Sequence, residues 1–98
     1  MTLVQLKHLI ALAESGSFSR SAEALFLTQP ALSRSIRALE DDLGQPLFDR
    51  IGRHSELTPF GREVLARARQ VVLDADELLD SGRRIGAGEA GVLRLDAS

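Results

Sequence analysis

Apolar residues recur every three or four positions along most of this chain, which is the period of amphipathic helices. The first predicted helix runs from about Thr2 to Glu14, with Thr2 as the N-cap and Gly16 as the residue that ends it. Its predicted inward face consists of Leu3, Leu6, Ile10 and Ala13. The chain is therefore expected to open with a helix that buries one side.

Two more helices are predicted with a very short connection between them. A helix over about 18–25 is capped by Ser17, and a helix over 29–43 is capped by Thr28. Pro30 falls in the first turn of the latter, where its missing N–H costs nothing. The predicted inward face of this third helix consists of Leu32, Ile36, Leu39 and Leu43.

The remainder of the pattern predicts a hairpin and one long helix. Residues 47–57 are too short for a helix and carry Gly52 midway, so they are expected to form a small β-hairpin. Thr58 and Pro59 repeat the helix start signal, and the fourth helix is expected to reach Arg84, a length of roughly 39 Å at 1.5 Å per residue. Glycines then suggest a flexible linker before the alternating Val92–Leu95, expected to be the first strand of a second, truncated domain.

Composition narrows the class of protein without indicating a function. The 98 residues suit one small domain, and the 44% hydrophobic content argues against disorder. The absence of cysteine excludes a disulfide scaffold and fits a reducing cytoplasm. No apolar run is long enough for a membrane span, and the opening residues do not match a secretory signal. With 12 basic and 14 acidic residues the net charge is −2, so any phosphate-binding surface must come from local placement of charge.

The second and third predicted helices have the layout of a helix-turn-helix. Small residues at Ser21 and Ala22 let the two helices cross closely, and the short turn fixes their angle. On a helical wheel, the side of the third helix opposite its apolar face carries Pro30, Ser33, Arg34 and Arg37. The acidic residues of this helix gather at its far end. Arginines and short polar residues near the N-terminus are what a helix needs to read a DNA groove, although a solvated surface helix would show the same pattern.

The hairpin adds two more basic positions. Arg50 and Arg53 flank Gly52 near the predicted tip. A basic hairpin beside a groove-reading helix is a wing, which can reach phosphates or the minor groove. A solvated turn is the alternative for either arginine alone.

The fourth helix carries a wide apolar stripe that the small domain can cover only in part. Beyond about Val71 nothing in the chain is expected to pack on it, which predicts a second copy as the partner. The alternative is an amphipathic helix that folds back on its own domain, which the length of the helix disfavours. The residues expected in the dimer contact are Val64, Leu65, Ala68, Val71, Val72, Ala75, Leu78 and Leu79.

Three further candidate signals in the sequence do not support a cofactor, metal or catalytic site. Gly86, Gly88 and Gly91 match the spacing of a dinucleotide-binding loop, but the expected helix before it and strand after it are in the reverse order. His8 and His54 lack metal-ligand spacing; His8 is expected on the surface of the first helix and His54 on the hairpin. The serines lack a nucleophile elbow. The sequence therefore predicts no enzyme, no cofactor and no metal.

The chain resembles the N-terminal DNA-binding domain of the LysR-type transcriptional regulators. The resemblance extends over essentially the whole chain and rests on an ordered series of short matches. These are Phe18-Ser19-Arg20-Ser21-Ala22, Leu25, Thr28-Gln29-Pro30-Ala31-Leu32-Ser33, Ile36, Leu39-Glu40, Leu43-Gly44, Leu47-Phe48, Arg50, Gly52-Arg53, Leu57-Thr58-Pro59, Gly61 and Gly91–Leu95.

This resemblance implies a mainly α fold: a winged helix-turn-helix of three helices and a two-stranded β wing, followed by a long dimerisation helix. It implies that Gln29, Pro30, Ser33 and Arg34 face the major groove. Arg37 is added to the predicted DNA-binding residues because the helical wheel places it on the same side of the third helix. Residues Ser17, Thr28, Arg50 and Arg53 are implied to approach the backbone or the minor groove.

Two positions depart from the family pattern. Ser21 stands where alanine is usual, a small change at the helix crossing. Phe26 stands where a polar residue, often histidine, is common. Whether this position makes the family's usual phosphate contact is therefore left undecided, and packing of Phe26 under the wing is the alternative.

The expected organisation follows from the same resemblance. Residues 1–58 form the DNA-binding domain, 59–85 the linker helix, and 86–98 a hinge with the first strand of an effector-binding domain. The expected partners are double-stranded promoter DNA, a second copy through the linker helix with higher oligomers in the full-length protein, and a small-molecule effector held by the missing domain. The expected place is the bacterial cytoplasm, at the nucleoid. The alternative is a winged-helix protein–protein module that does not bind DNA, which the near-neutral charge would suit.

Overall fold

The computed structural model describes residues 1–51 and 54–89 and shows the predicted winged helix-turn-helix with a long C-terminal helix. The elements in chain order are α1 (Leu3–Ser15), α2 (Phe18–Ala24), α3 (Gln29–Leu43), β1 (Phe48–Ile51), β2 (His54–Leu57) and α4 (Pro59–Arg84), followed by a π-helical turn (Ile85–Glu89). Arg53 and the predicted strand Val92–Leu95 lie outside the described residues.

Each helix begins at a hydroxyl side chain that caps its first backbone amides, as the sequence predicted. Thr2 accepts a hydrogen bond from the Gln5 amide at 3.1 Å, and the Gln5 side chain accepts one from the Thr2 amide at 3.0 Å, which forms a capping box. The caps of the other helices are Ser17, Thr28 and Thr58. These local signals explain why the helix starts could be predicted.

The core forms around α1, which packs against α2, α3 and α4. Leu9 and Leu12 are completely buried in it, whereas Leu3 is 37% exposed and Ile10 only partly buried. The predicted inward face of α1 was therefore wrong in part. Three helices cover α1, so its buried side is wider than one stripe and is centred on Leu6, Leu9 and Leu12.

The wing is a two-stranded antiparallel sheet within the predicted 47–57 segment. Phe48 pairs with Leu57, and Arg50 pairs with Ser55. Phe48 is buried, and Leu57 packs against the core beneath the sheet. The Ser55 amide also donates to the Gly16 carbonyl at 3.3 Å, which joins the wing to the connection between α1 and α2.

The long helix α4 has a packed half and an exposed half. Val64, Leu65 and Val72 pack on the core, and Ala68 is buried within it. Beyond Val72 the leucines Leu73, Leu78 and Leu79 are exposed. The linker expected after Arg84 begins instead as the π-helical turn, in which Gly88 has a φ of 128° and interrupts the helical backbone.

Candidate nucleic-acid interface

The crossing of α2 and α3 depends on two small buried residues. Ser21 and Ala22 are each 2% exposed. The Ser21 hydroxyl lies 3.3 Å from the Ala11 carbonyl, to which it donates, and it also contacts the Ser15 hydroxyl at 2.5 Å. The departure from alanine at this position is therefore accommodated by hydrogen bonds between α1 and α2, which satisfy the buried hydroxyl.

The turn between α2 and α3 is tight and locally strained. The Leu27 amide donates to the Ala22 carbonyl at 2.8 Å, which closes the turn. Phe26 adopts a left-handed φ of 58°, a region that costs an aromatic residue on the order of 1 kcal/mol. Its side chain is 96% exposed, so it does not pack under the wing. The turn thus presents an aromatic ring to solvent just before the N-terminus of α3.

From Gln29 to Arg37, α3 presents an exposed polar side without acidic residues. Gln29, Pro30, Arg34 and Arg37 are exposed, and Ser33 is half-buried. Within residues 1–51 and 54–89, neither Arg34 nor Arg37 has an ion-pair partner. Both guanidinium groups are therefore available to an external anion.

The acidic residues at the end of α3 are partly neutralised by contacts within the chain. The Asp42 carboxylate pairs with the α-amino group of Met1. The Glu40 carboxylate accepts hydrogen bonds from the start of the wing. These contacts hold negative charge at the far end of α3, away from Gln29 and Arg34.

The capping hydroxyls lie at the positions predicted to approach the DNA backbone. The Thr28 hydroxyl oxygen accepts from the Ala31 amide at 3.2 Å, and the Ser17 oxygen accepts from the Arg20 amide at 3.3 Å. Capping uses the oxygen as an acceptor, so each hydroxyl proton can still be donated. The N-terminus of α3 also carries the positive end of the helix dipole, and no acidic residue lies in its first turn.

A cleft of about 260 Å³ separates α3 from the base of the wing. Its lining includes Ser33 and Arg37 from α3, and Pro46 and Phe48 from the wing side. Glu40 also lines it. Of the two predicted wing arginines, Arg50 is placed in β1 by its backbone, and Arg53 is outside the described residues.

His8 lies on α1 and is half-buried where α1 faces α3. The sequence predicted it on the free surface of the first helix. Its Nδ1 atom lies 2.7 Å from the Ser35 hydroxyl oxygen, and the two share a hydrogen bond. Burial lowers the pKa of His8 below its usual value because it disfavours the charged imidazolium. The interaction attaches α1 to the middle of α3, on the side away from the exposed arginines.

The predicted dimer stripe divides into residues used internally and residues left exposed. Ala68 is 3% exposed, and Val64, Leu65 and Val72 pack on the core. The exposed members are Val71, Leu78 and Leu79, and Ala75 is half-buried. The uncovered surface therefore lies in the second half of α4, where the sequence placed it.

Among the described residues, no group of three or more histidine, cysteine or acidic side chains could hold a metal ion. None of the described helices is both long enough and apolar enough to cross a membrane.

Comparison with known proteins gives consistent matches. The family model described as bacterial regulatory helix-turn-helix protein, lysR family, matches residues 3–62. The HTH-type transcriptional regulator IlvR of Caulobacter vibrioides is 46% identical over 95 residues, which cover 97% of this chain and 32% of that protein. The SDS degradation transcriptional activation protein of a Pseudomonas species is 52% identical over 99 residues, covering 97% and 31%. The chain thus spans about a third of the length of these relatives.

Solved structures of similar sequence share the fold. The crystal structure of a CbnR_DBD–DNA complex has a TM-score of 0.84 and 38% identity, covering 88% of this chain and 99% of that one. The BenM_DBD complex with catB site 1 DNA has a TM-score of 0.85 and 34% identity, covering 91% and 99%. Both matched chains are described as bound to DNA.

Proposed function

The chain belongs to the LysR family of bacterial regulatory helix-turn-helix proteins and contains that family's winged helix-turn-helix DNA-binding domain, and we propose that it binds promoter DNA in a sequence-specific manner as a dimer. The observation that carries this proposal is the exposed side of α3 from Gln29 to Arg37, which has no acidic residue and on which Arg34 and Arg37 have no ion-pair partner in the described part of the chain.

Direct reading of bases falls to the first two turns of α3, which we propose enter the major groove. Gln29 can pair with adenine, and Arg34 can pair with guanine or a phosphate. Ser33 can donate or accept at either base, and Pro30 gives an apolar contact beside them. The exposure of Gln29, Pro30 and Arg34 supports these roles.

Contacts to the DNA backbone come from residues around this helix. We assign Arg37, Ser17 and Thr28 to phosphates, the last two through the hydroxyl protons that capping leaves free. Arg50 and Arg53 of the wing are assigned to phosphates or the minor groove. Such contacts set affinity and orientation without selecting a sequence.

Dimerisation is proposed to occur through α4. Val71, Leu78 and Leu79 are exposed at 48%, 73% and 52%, and they continue the stripe whose first half covers the core. A second copy would bury this surface and place two recognition helices on two half-sites.

The rest of the regulator is proposed from the relatives, since they are about three times as long as this chain. In this proposal residues 1–58 bind DNA, 59–85 form the linker helix, and 86–98 lead into a domain that binds a small-molecule effector. The full-length protein forms higher oligomers and acts in the cytoplasm at the nucleoid. The relatives carry the names of transcriptional regulators, and we propose no enzymatic reaction and no cofactor.

The alternative, a protein–protein module with an idle DNA face, is not favoured. Its support was the net charge of −2. The similar chains described as DNA complexes argue against it, and so do the arginines on α3, which have no ion-pair partner among the described residues.

The test of the proposal is DNA binding by variants of the whole chain. The double variant Arg34→Ala and Arg37→Ala should lose binding to every duplex, because at least one phosphate contact and one base contact are removed. The control is Arg83→Ala, which removes an exposed arginine at the far end of α4. Equal binding by all three proteins would refute the assignment of α3 to DNA.

A further inference from the structure

The carboxylate of Glu40 joins the wing to the recognition helix α3. Glu40 Oε2 accepts a hydrogen bond from the Leu47 amide at 2.7 Å and a longer one from the Phe48 amide at 3.4 Å. Leu47 is fully buried and Phe48 is 8% exposed, so the contact lies at the edge of the core. The carboxylate thus reaches from α3 to the first residues of the wing.

Other bonds secure the base of the wing but do not involve α3. The Thr58 hydroxyl donates to the Pro46 carbonyl at 2.8 Å, and the Thr58 amide donates to the Leu47 carbonyl at 3.0 Å. These bonds hold the two ends of the hairpin together and join them to α4. The Ser55 amide also joins the wing to the α1–α2 connection through the Gly16 carbonyl, and the bonds to Glu40 are those that link the wing to α3 itself.

The location of Glu40 makes its charge unfavourable for DNA binding unless the carboxylate has another role. It lines the same cleft as Ser33 and Arg37, which lie seven and three residues earlier on α3. A negative charge in that cleft repels an approaching phosphate. A carboxylate that accepts two consecutive amide bonds, however, makes a charge-assisted attachment that is directional as well as strong.

We propose that Glu40 is a positioning residue, which holds the wing at the angle that lets wing and recognition helix contact one duplex at the same time. The inference rests on the proposed function, because it assumes that the wing binds phosphates. Glu40 itself does not touch DNA in this account; it acts through the backbone of Leu47 and Phe48.

The test is a double-mutant comparison read as salt dependence of DNA affinity. Arg53→Ala in the otherwise unchanged chain should lower the slope of log affinity against log salt by about one unit, the value of one phosphate contact. In a Glu40→Ala background the same Arg53→Ala change should leave the slope nearly unchanged, because the wing no longer reaches the duplex. Glu40→Ala alone should lower affinity.

The control is Asp41→Ala, which removes the same charge from the neighbouring exposed residue. Loss of a negative charge alone should raise affinity for DNA, so the two alanine variants are expected to change affinity in opposite directions. If Glu40→Ala only lowered the stability of the fold, its DNA affinity measured well below the melting temperature would not fall. The two alanine variants would then not change affinity in opposite directions.

Each contrary outcome has a distinct meaning. If Arg53→Ala lowers the slope equally in both backgrounds, the wing binds phosphate without help from Glu40, and the inference fails while the proposed function stands. If Arg53→Ala has no effect in the unchanged chain, the wing part of the proposed function fails and the inference fails with it. A rise in affinity for Glu40→Ala, like that of Asp41→Ala, also overturns the inference.

A second variant covers the case in which Glu40→Ala does not fold. Glu40→Gln keeps a neutral acceptor in the same place, so it should bind DNA with an intermediate affinity. Amide hydrogen exchange at Leu47 and Phe48 should become faster in it, whereas exchange at Leu32 and Leu39 in α3 should not change. Unchanged protection of Leu47 and Phe48 would show that the carboxylate does not hold the wing.

Discussion

At the scale of single residues, the close approach of α4 to the wing depends on the missing side chain of Gly61. Gly61 is buried in the first turn of α4, and a Cβ at that position would lie 2.1 Å from the Leu47 carbonyl oxygen. The same Leu47 carbonyl accepts the Thr58 amide. Any side chain at 61 would therefore push apart the hydrogen-bonded base of the wing.

Gly61→Ala should lower the free energy of unfolding by about 1–3 kcal/mol, the usual cost of overpacking. The control is Gly82→Ala, also in α4, where an added Cβ would meet no atom within 4 Å. That change should raise the free energy of unfolding by about 0.5–1 kcal/mol through helix propensity. Urea denaturation of both variants at one protein concentration measures the pair. The same sign for both would contradict the packing at Gly61.

His8 provides a pH-dependent contribution to stability. Its pKa in the folded chain is lowered by burial, so the unfolded chain takes up the proton at a higher pH than the folded chain. The contribution is therefore fully present above the unfolded pKa of 6.5 and is lost as pH falls through the lowered value. Protonation also interferes with the shared hydrogen bond to Ser35 if Nδ1 accepts it.

The measurement compares the unchanged chain with His8→Gln, which cannot titrate. The difference between their free energies of unfolding should shrink as pH is lowered from about 7.5 to about 5.5. A difference that grows over this range would mean that the folded chain prefers the charged imidazole.

At the scale of elements, the starts and ends of helices were predictable because their signals are local. Thr2, Thr28 and Thr58 act within three residues of their own position, and Gly16 and Gly44 end helices by adopting a left-handed backbone. Burial is not local. Leu9 is buried and Leu3 exposed because three other helices cover α1, which its own spacing does not reveal.

The candidate site was predictable to a similar extent. The outward side of α3 follows from helical periodicity, so the exposure of Arg34 and Arg37 was expected. The role of Glu40 was not, because its partners Leu47 and Phe48 belong to another element. The sequence showed only an acidic residue at the end of a helix.

The second half of α4 allows a prediction with an internal control. Leu78→Glu combined with Leu79→Glu should convert a dimer to a monomer, because both side chains belong to the exposed stripe. Val72 is less suitable for this purpose, since it packs on the core of its own chain. Leu73→Glu changes a leucine that is 56% exposed on the other side of the helix, at about 100° per residue, and should leave a dimer.

Sedimentation equilibrium at micromolar concentration distinguishes these outcomes. A monomeric unchanged chain would contradict the proposed dimer. Dissociation by Leu73→Glu as readily as by the Leu78 and Leu79 pair would place the contact elsewhere.

At the scale of the whole molecule, the arrangement of charge explains how a chain with a net charge of −2 can bind a polyanion. The acidic residues Asp42 and Glu40 are held in contacts at the far end of α3. Arg34 and Arg37 are left exposed on the same helix, and Arg34 lies six residues before Glu40. Local placement of charge therefore takes the place of a basic composition in the proposed DNA surface.

The most direct test of sequence-specific binding is a pair of titrations with the variant Gln29→Ala. One duplex carries the site selected by the unchanged chain from a random pool, and the other is a random duplex of the same length at the same salt concentration. The account predicts that Gln29→Ala loses about 1–3 kcal/mol of affinity for the selected site and almost none for the random duplex. Folding should persist, because Gln29 is exposed. Equal losses on both duplexes, or no loss on either, would contradict the claim that this helix reads bases.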